Sequence, residues 1–562
     1  MGSPSDSDLY ARLYRLGVEL AAERDRDRLI ERILLEAKAL CRADGGTLYL
    51  VDEDERVLRF AMLHTDSLEL AYGGTQAEPV PMPPIPMFDA QTGEPNHANV
   101  ATHCVHARTS VNVADAYDAD GFDFAGTQAF DARTGYRSVS FLTIPMKNAE
   151  ERVIGVLQLI NATTEDGKVV AFDERLQEAV EALAAQAAVA LDNQMLLAQQ
   201  KNLLGAFIQL IAAAIDSKSP HTGGHCRRVP MLTEMLTRAV CDEKEGPLAA
   251  FDLDEEGWYE LHIAAWLHDC GKITTPVHVM DKSTKLETIF DRIEMVRTRL
   301  AVMRQEVLRG FGNAEQVESQ LAELSEIEAF LTRVNRGGEF MEDADRERIS
   351  ELAKRTWTDV FGNERSLLTE EEAENLRIRK GTLTEKERVV INGHMVETIR
   401  MLEALPFPRN LRQVPEYAGG HHERMDGNGY PKGLYAGDMS VPARVMAIAD
   451  VFEALTASDR PYKPGMKLSQ AMSIMGRMVE NNHLDPELFR VFVRSGTYRT
   501  YAETFLDAEQ IDPVDEAAVL EVRPRGFELP PEAERKKRWQ GFLPAYQALI
   551  DERANGPGTP KS

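Results

Sequence analysis

Two adjacent histidines open the run His421-His422-Glu423-Arg424-Met425-Asp426-Gly427-Asn428-Gly429-Tyr430-Pro431. Imidazole and carboxylate groups together are ligands for borderline divalent metals. The Gly-Asn-Gly-Tyr-Pro end suits a turn, since neither a helix nor a strand interior tolerates it. A second concentration lies far upstream, in Leu267-His268-Asp269-Cys270-Gly271-Lys272. Neighbouring His and Asp are costly as packing residues, because each needs a polar partner once buried. A divalent metal satisfies both at once.

Other stretches supply further donors. In His221-Thr-Gly-Gly-His225-Cys-Arg-Arg-Val229 the two histidines are four apart, the spacing of one helix face, although Gly223-Gly224 loosens the early part. Asp450 sits among apolar residues in Arg444-Val-Met-Ala-Ile-Ala-Asp450-Val-Phe-Glu-Ala-Leu-Thr456. A naked carboxylate in mid-helix there would be expensive, so it needs a partner. A capping box, Thr384-Glu-Lys-Glu387, starts a helix that carries His394.

The elements that must position these groups fall into a sensor-like front and a helical rear. Helical periodicity runs from about 9 to 42, through Leu13, Leu16, Leu20, Leu29 and Ile33. Strands are predicted at 46–51, 57–62, 139–145 and 152–160, around a loop-rich middle at 64–137. A helix begins near Asp173. From 176 to 215, Leu176, Val180, Leu183, Ala187, Ala190, Gln194, Leu197, Lys201, Leu204, Ile208, Ile211 and Ile215 alternate in steps of three and four. That is coiled-coil spacing, read here as a parallel homodimer helix, with intramolecular packing as the alternative. Residues 283–380 read as a helical insertion: a hairpin over 286–309 and 315–334, broken at Gly310-Phe-Gly312, then a shorter helix at 343–357.

Composition narrows the function classes. A formal net charge of −27 over 562 residues argues against a nucleic-acid polymer or an anionic membrane as main partner. The five cysteines, with no Cys-x-x-Cys spacing, suit a reducing compartment. No apolar run approaches the roughly 20 residues of a membrane span, and the first residues, without a basic patch or an apolar core, are not expected to be a signal peptide. The expectation is a cytoplasmic protein.

The His-Asp and Gly-Tyr-Pro segments resemble the signatures of the HD-GYP family, metal-dependent phosphodiesterases of the HD superfamily that hydrolyse cyclic dinucleotides, chiefly cyclic di-GMP. The front resembles a GAF domain, best at Ile144-Pro-Met-Lys147 through Val156-Leu-Gln-Leu-Ile-Asn161. The architecture implied is multidomain. An α+β GAF sensor with an antiparallel sheet and flanking helices (10–198) follows a disordered N-terminus (1–9). A linker and dimerisation helix (176–215) leads to an all-α HD-GYP domain (203–505), and a helical extension and tail (506–562) close the chain.

The resemblance makes His225, His268, Asp269, His394, His421, His422 and Asp450 metal ligands, with Asp269 bridging. His221 occupies a position that varies with the number of metals, so two or three divalent ions are implied, iron first, with manganese, nickel or zinc as alternatives. His268, Asp269 and Lys272 form the catalytic group. Lys272, Arg460 and Lys463 would contact substrate phosphate, and Gly427, Gly429, Tyr430 and Pro431 would shape the substrate wall. Glu423 and Asp426 are expected to support the ligands. The implied reaction takes cyclic di-GMP to linear pGpG, and onward to GMP, through a hydroxide bridging the metals. An unknown small molecule would bind the GAF domain. The alternatives are a cyclic-dinucleotide-binding or docking module, for example with a diguanylate cyclase, and a phosphohydrolase for another nucleotide such as cyclic GMP-AMP.

Overall fold

The structure is a computed structural model. It describes residues 6–555 except 77, 120, 219–223, 311, 338–339, 459–464 and 539–541. His221, Arg460 and Lys463 therefore lie outside the described residues. The chain divides into two units, Met1–Leu204 and Gly205–Ser562.

In the first unit, helices α1 (Asp6–Ala22) and α2 (Arg26–Cys41) precede β1 (Ala43–Val51), β2 (Val57–Thr65), β3 (Leu70–Gly73) and β4 (Ile85–Pro86). Then come α3 (Val100–Ala107), β5 (Val111–Val113), α4 (Ala125–Thr134), β6 (Phe141–Lys147), β7 (Val153–Thr163) and β8 (Val169–Val170). The strands form one eight-stranded antiparallel sheet ordered β3-β2-β1-β7-β6-β5, with β4 beside β2 and β8 beside β7. Strand alternation sorts side chains between two cores. Leu48, Leu157 and Leu159 meet the helices α1 and α2 and the following helix, whereas Tyr49, Val51 and Val156 meet α3. The N-terminal residues expected to be disordered are helical from Asp6 onward, because Leu13, Leu16 and Leu20 anchor α1 in the core.

Helix α5 (Glu174–Lys218) is the long helix that the sequence predicts. Its seam is not all available to a partner. Val180, Leu183 and Ala187 are fully buried in the sheet unit's own core, and Ile208 and Ile215 are buried in the second unit. A half-covered sheet needs an apolar helix on it, and the start of α5 fills that role. Between these parts Leu197, Leu204, Phe207, Leu210 and Ile211 are exposed.

The second unit continues with α6 (His225–Cys241), α7 (Glu255–Leu267), a 3-10 turn at Cys270–Thr274 and α8 (Val277–Met280). The inserted segment follows: α9 (Ile293–Arg309), α10 (Ala314–Asn335), α11 (Asp343–Leu352), strands β9 (Thr356–Thr358) and β10 (Glu364–Ser366), and α12 (Glu370–Leu376). It has its own core around Val296, Leu300, Leu331 and Leu367. The insertion is not purely helical: the helix expected at 343–357 stops at Leu352, and a small antiparallel hairpin follows. Its turn is built by the Asp359 carboxylate, which accepts from the Phe361 and Asn363 N–H groups at 2.9 Å each, and by Gly362 at φ +83°. The Lys282 ammonium bolts the insertion to the rest of the unit, donating to Asn375 at 2.7 Å and Glu387 at 2.8 Å.

The core resumes with α13 (Glu385–Asn392), α14 (His394–Ala404), α15 (Val414–Gly419) and α16 (Val441–Thr456). It closes with α17 (Leu468–Glu480), α18 (Pro486–Arg494), α19 (Thr497–Phe505), α20 (Glu516–Leu520), α21 (Glu532–Arg538) and α22 (Leu543–Asn555). The capping box Thr384/Glu387 forms as the sequence predicts. The helix it starts is interrupted at Gly393, so His394 opens a new one.

Candidate metal centre

Helix ends deliver most of the predicted ligands. His225 is the first residue of α6, entered through Gly224 at φ +92°, and His268 directly follows α7. Asp269 begins the 3-10 turn, which lies so close to α14 that a β-carbon on Gly271 would overlap the His394 carbonyl. That close approach, fixed by the Gly271 N–H donating to the Thr398 hydroxyl at 2.9 Å, brings Asp269 to His394. His421 and His422 follow α15, and Asp450 projects from the middle of α16.

These side chains converge in two groups, Asp269 with His394, His421 and His422, and His225 with His268, Asp269 and Asp450. Within each group the potential ligand atoms lie within 4.8 Å of one another, and Asp269 belongs to both. His225 Nε2 is 3.0 Å from Asp269 Oδ2 and 3.5 Å from Asp450 Oδ1. His394 Nε2 and His421 Nε2 lie 3.3 and 3.9 Å from Asp269 Oδ1.

The imidazoles are preset as ligands. The Nδ1 of His268 and of His421 donates to the carbonyl three residues back, at 2.7 Å each, and His394 does the same to Ile391. This fixes the tautomer and turns the Nε2 lone pair inward. His268 Nε2, His394 Nε2, His421 Nε2 and Asp269 Oδ1 are all buried and make no hydrogen bond. Four orphaned polar atoms converging on one place are costly for an empty core, and the donor set fits divalent cations.

Electrostatics point the same way. Burial, with His268 next to it, pushes the His421 imidazole down to about 4. Burial and the neighbouring His421 and His394 likewise hold His422 well below the usual range. Both rings are thus neutral lone-pair donors at neutral pH. Burial works against Asp269, yet Lys272 and His268 keep its carboxylate well below the ordinary value. The Lys272 ammonium sits 2.5 Å from Asp269 Oδ2. Burial would lower it, but Asp269 and Asp450 raise it.

One important residue escaped the sequence reading. Glu453 accepts from His225 Nδ1 at 2.6 Å through one oxygen and from Arg228 at 2.7 and 2.9 Å through the other. Its signal was its place one turn beyond Asp450 on α16, together with the arginine three residues after His225.

Among the described residues, the hydrogen bonds of Glu423 and Asp426 go to their own loop and not to the clustered ligands. Glu423 accepts from the N–H groups of Lys432 (2.7 Å), Gly433 (3.2 Å) and Leu434 (2.9 Å), and so folds the segment after Pro431 back on itself. Asp426 accepts from Arg424 and Asn428. The reason is the tight turn between them: a β-carbon on Gly429 would overlap the Glu423 backbone, and Gly427 has φ +73°. The turn's many unpaired N–H groups claim the nearby carboxylates. Tyr430 stacks on His422, with centroids 4.9 Å apart and planes at 18°.

His483, behind this loop, gives a pH prediction. Burial and the Arg424 cation push it down to about 4 from an ordinary 6.5. Its contribution to stability is fully present above pH 6.5 and is lost as pH falls towards 4, about 3 kcal/mol in all. Thermal unfolding of His483→Gln should lack this acid limb. An unchanged profile would show that His483 does not cause it.

In the first unit, a cavity of about 340 Å³ is lined by Tyr49, Phe60, Phe130, Arg133, Tyr136 and Gln158, among others. Asn161 is spent on the fold, because its side chain accepts from the Val139 N–H at 2.7 Å and donates to the Arg137 carbonyl at 2.8 Å. Among the described residues, no helix is long and apolar enough to cross a membrane.

Two segments of the chain match known domain families, a GAF domain followed by an HD domain. Residues 25–191 match the GAF domain family, and residues 371–488 match the HD domain family, beginning only after most of the insertion. The chain is 41% identical over 122 residues to a 3'3'-cGAMP-specific phosphodiesterase of Vibrio cholerae, covering 22% of this chain and 27% of that protein. It is 39% identical over 135 residues to a cyclic di-GMP phosphodiesterase of Pseudomonas aeruginosa, covering 24% and 31%. It is 31% identical over 125 residues to a cyclic di-GMP phosphodiesterase of Thermotoga maritima, covering 22% and 32%. The matched segments thus span less than a third of each relative's length.

Proposed function

We propose that this protein is a metal-dependent phosphodiesterase that hydrolyses cyclic di-GMP to linear pGpG, and onward to GMP, under control of its GAF domain. The observation that carries this reading is the pair of donor groups sharing Asp269. His225, His268, Asp269 and Asp450 would hold one divalent ion, and Asp269, His394, His421 and His422 a second. Mixed imidazole and carboxylate donors suit iron first, then manganese, nickel or zinc. Two such ions supply Lewis acidity at the phosphoryl oxygens and make water a nucleophile near neutral pH.

The chain's own groups do the rest. Asp269 binds both halves of the centre into one unit, so a shift in either is felt by the other. Lys272 carries a positive charge beside that carboxylate and offsets negative charge growing on the phosphate oxygens. His422 is the one clustered ligand that is not fully buried. Substrate therefore enters on its side, along the wall made by Gly427 to Pro431.

Two features support regulation through α5. The Lys218 ammonium, at its last residue, donates to the carbonyls of Lys272 (3.2 Å), Ile273 and Thr275 (2.6 Å), directly behind the His-Asp segment. Its exposed apolar stretch around Leu204 and Phe207 fits a second copy of the same helix in a homodimer. Five free cysteines suit a cytoplasmic location.

A second substrate reading, 3'3'-cGAMP, is favoured by the name of the Vibrio cholerae relative. Turnover of both dinucleotides by protein reconstituted with iron or manganese decides. Release of linear dinucleotide from cyclic di-GMP at the higher kcat/KM is expected. Faster 3'3'-cGAMP cleavage would change the substrate, and tight binding without turnover would make the protein a binding module.

A further inference from the structure

Described parts of the C-terminal region, at Arg525, Phe527, Arg535 and Tyr546, are anchored on the helical unit that carries the metal centre. The Arg525 N–H donates to the Glu480 carbonyl at 2.9 Å, and the Asn482 amide donates to the Arg525 carbonyl at 2.8 Å. Phe527 stacks beside Tyr435 with centroids 6.3 Å apart. Arg535 pairs with Asp438, each side chain only 14% exposed. Tyr546 is buried against Gly393, where any β-carbon would overlap its ring, and its hydroxyl donates to Glu397 at 3.3 Å.

This anchoring places Phe542 in an aromatic row that starts at a ligand. His422 stacks on Tyr430, Tyr430 lies 6.1 Å from Phe542 at 36°, and Phe542 lies 6.2 Å from Tyr546 at 14°. His422 marks the open side of the centre, so the row lines the entrance. Phe542 is half-buried there, whereas Tyr546 beyond it is buried. A phenyl ring offers nothing to a phosphate. It can hold only a flat, apolar part of the substrate, and the faces of a cyclic dinucleotide's bases are such parts.

We propose that Phe542 is a substrate-binding residue, a stacking platform for one nucleobase of the substrate, supplied by the C-terminal segment. This rests on the cyclic-dinucleotide reading. Every base has a π face that an aromatic side chain can stack on. The anchor at Tyr546, against whose ring Phe542 lies, holds Phe542 in place before substrate arrives, so little ordering cost is left for binding.

The test compares Phe542→Leu, which keeps an apolar side chain but has no ring, with Phe542→Trp. For Phe542→Leu, KM for cyclic di-GMP should rise about 5- to 150-fold, with a smaller change in kcat. Phe542→Trp should restore it. Manganese binding, measured by titration, should be the same in Phe542→Leu and wild type, so that the loss is one of stacking and not of the metal centre. A cyclic dinucleotide carrying 2-aminopurine should be quenched on binding to wild type and Phe542→Trp, and much less by Phe542→Leu. Equal KM and equal quenching in wild type and Phe542→Leu would overturn the platform and leave the phosphodiesterase standing. If the reconstituted wild type does not hydrolyse cyclic di-GMP, the reading beneath the platform fails with it.

Discussion

Asp269→Asn should lower turnover of cyclic di-GMP by more than about 100-fold. Residues that merely orient metal ligands cost 10- to 100-fold when removed, and Asp269 contributes to both donor groups. The amide keeps the shape of the carboxylate but not its charge, and its nitrogen is no ligand. Lys272, 2.5 Å from Asp269, would then face a neutral group. Metal content should fall together with activity while the circular dichroism spectrum stays that of the wild type, since the side chain contributes no packing that Asn lacks. A variant that keeps its metals and its rate would remove Asp269 from the centre.

Glu453→Gln should weaken metal binding by about 10- to 100-fold, although Glu453 belongs to neither donor group. Its carboxylate fixes the His225 ring through Nδ1 at 2.6 Å. Burial works to raise Glu453, but the His225 and Arg228 cations hold it at about 2 in the metal-free chain. Burial works to lower His225, and Glu453 raises it to about 10. The signs follow. Glu453 contributes stability above its unfolded value near 4.5 that is lost as pH falls towards 2. His225 contributes stability below its unfolded value near 6.5 that is lost as pH rises towards 10. The metal-free wild type should therefore be best supported by this pair between the two unfolded values. Glu453→Gln should flatten both limbs, while Glu453→Ala, which takes the carboxylate away from the buried His225 cation, should cost about 3–5 kcal/mol. Metal titrations of the two proteins, with denaturant unfolding across pH, check both statements. Equal affinities would mean that His225 needs no orienting anion.

What could be read from the sequence was what short-range chemistry encodes. His268-Asp269 and His421-His422 stand next to each other in the chain, and burial of such polar neighbours already demands a common partner. Asp450 was legible because a carboxylate in an apolar helix has few other excuses. Glu453 was not, because a glutamate one turn further on looks like any helix residue until Arg228 and His225 arrive from a distant helix. Glu423 was misread for a related reason: its partners are backbone N–H groups, which no residue type announces. The start of α5 shows a different limit. Steps of three and four mark an apolar face, but not whether a second helix or the chain's own sheet covers it. The hairpin at 356–366 was too short to stand out from the charged helices around it. Phe542 and Tyr546 lie in a stretch of ordinary helical composition, and only the bare Gly393 surface shows where they go.

The most direct measurement is anomalous diffraction from crystals of the protein purified without oxygen and loaded with iron or manganese. Two ions should appear, both coordinated by Asp269 oxygens, one against His225, His268 and Asp450 and the other against His394, His421 and His422. A single ion, or ions that do not share Asp269, would contradict the account.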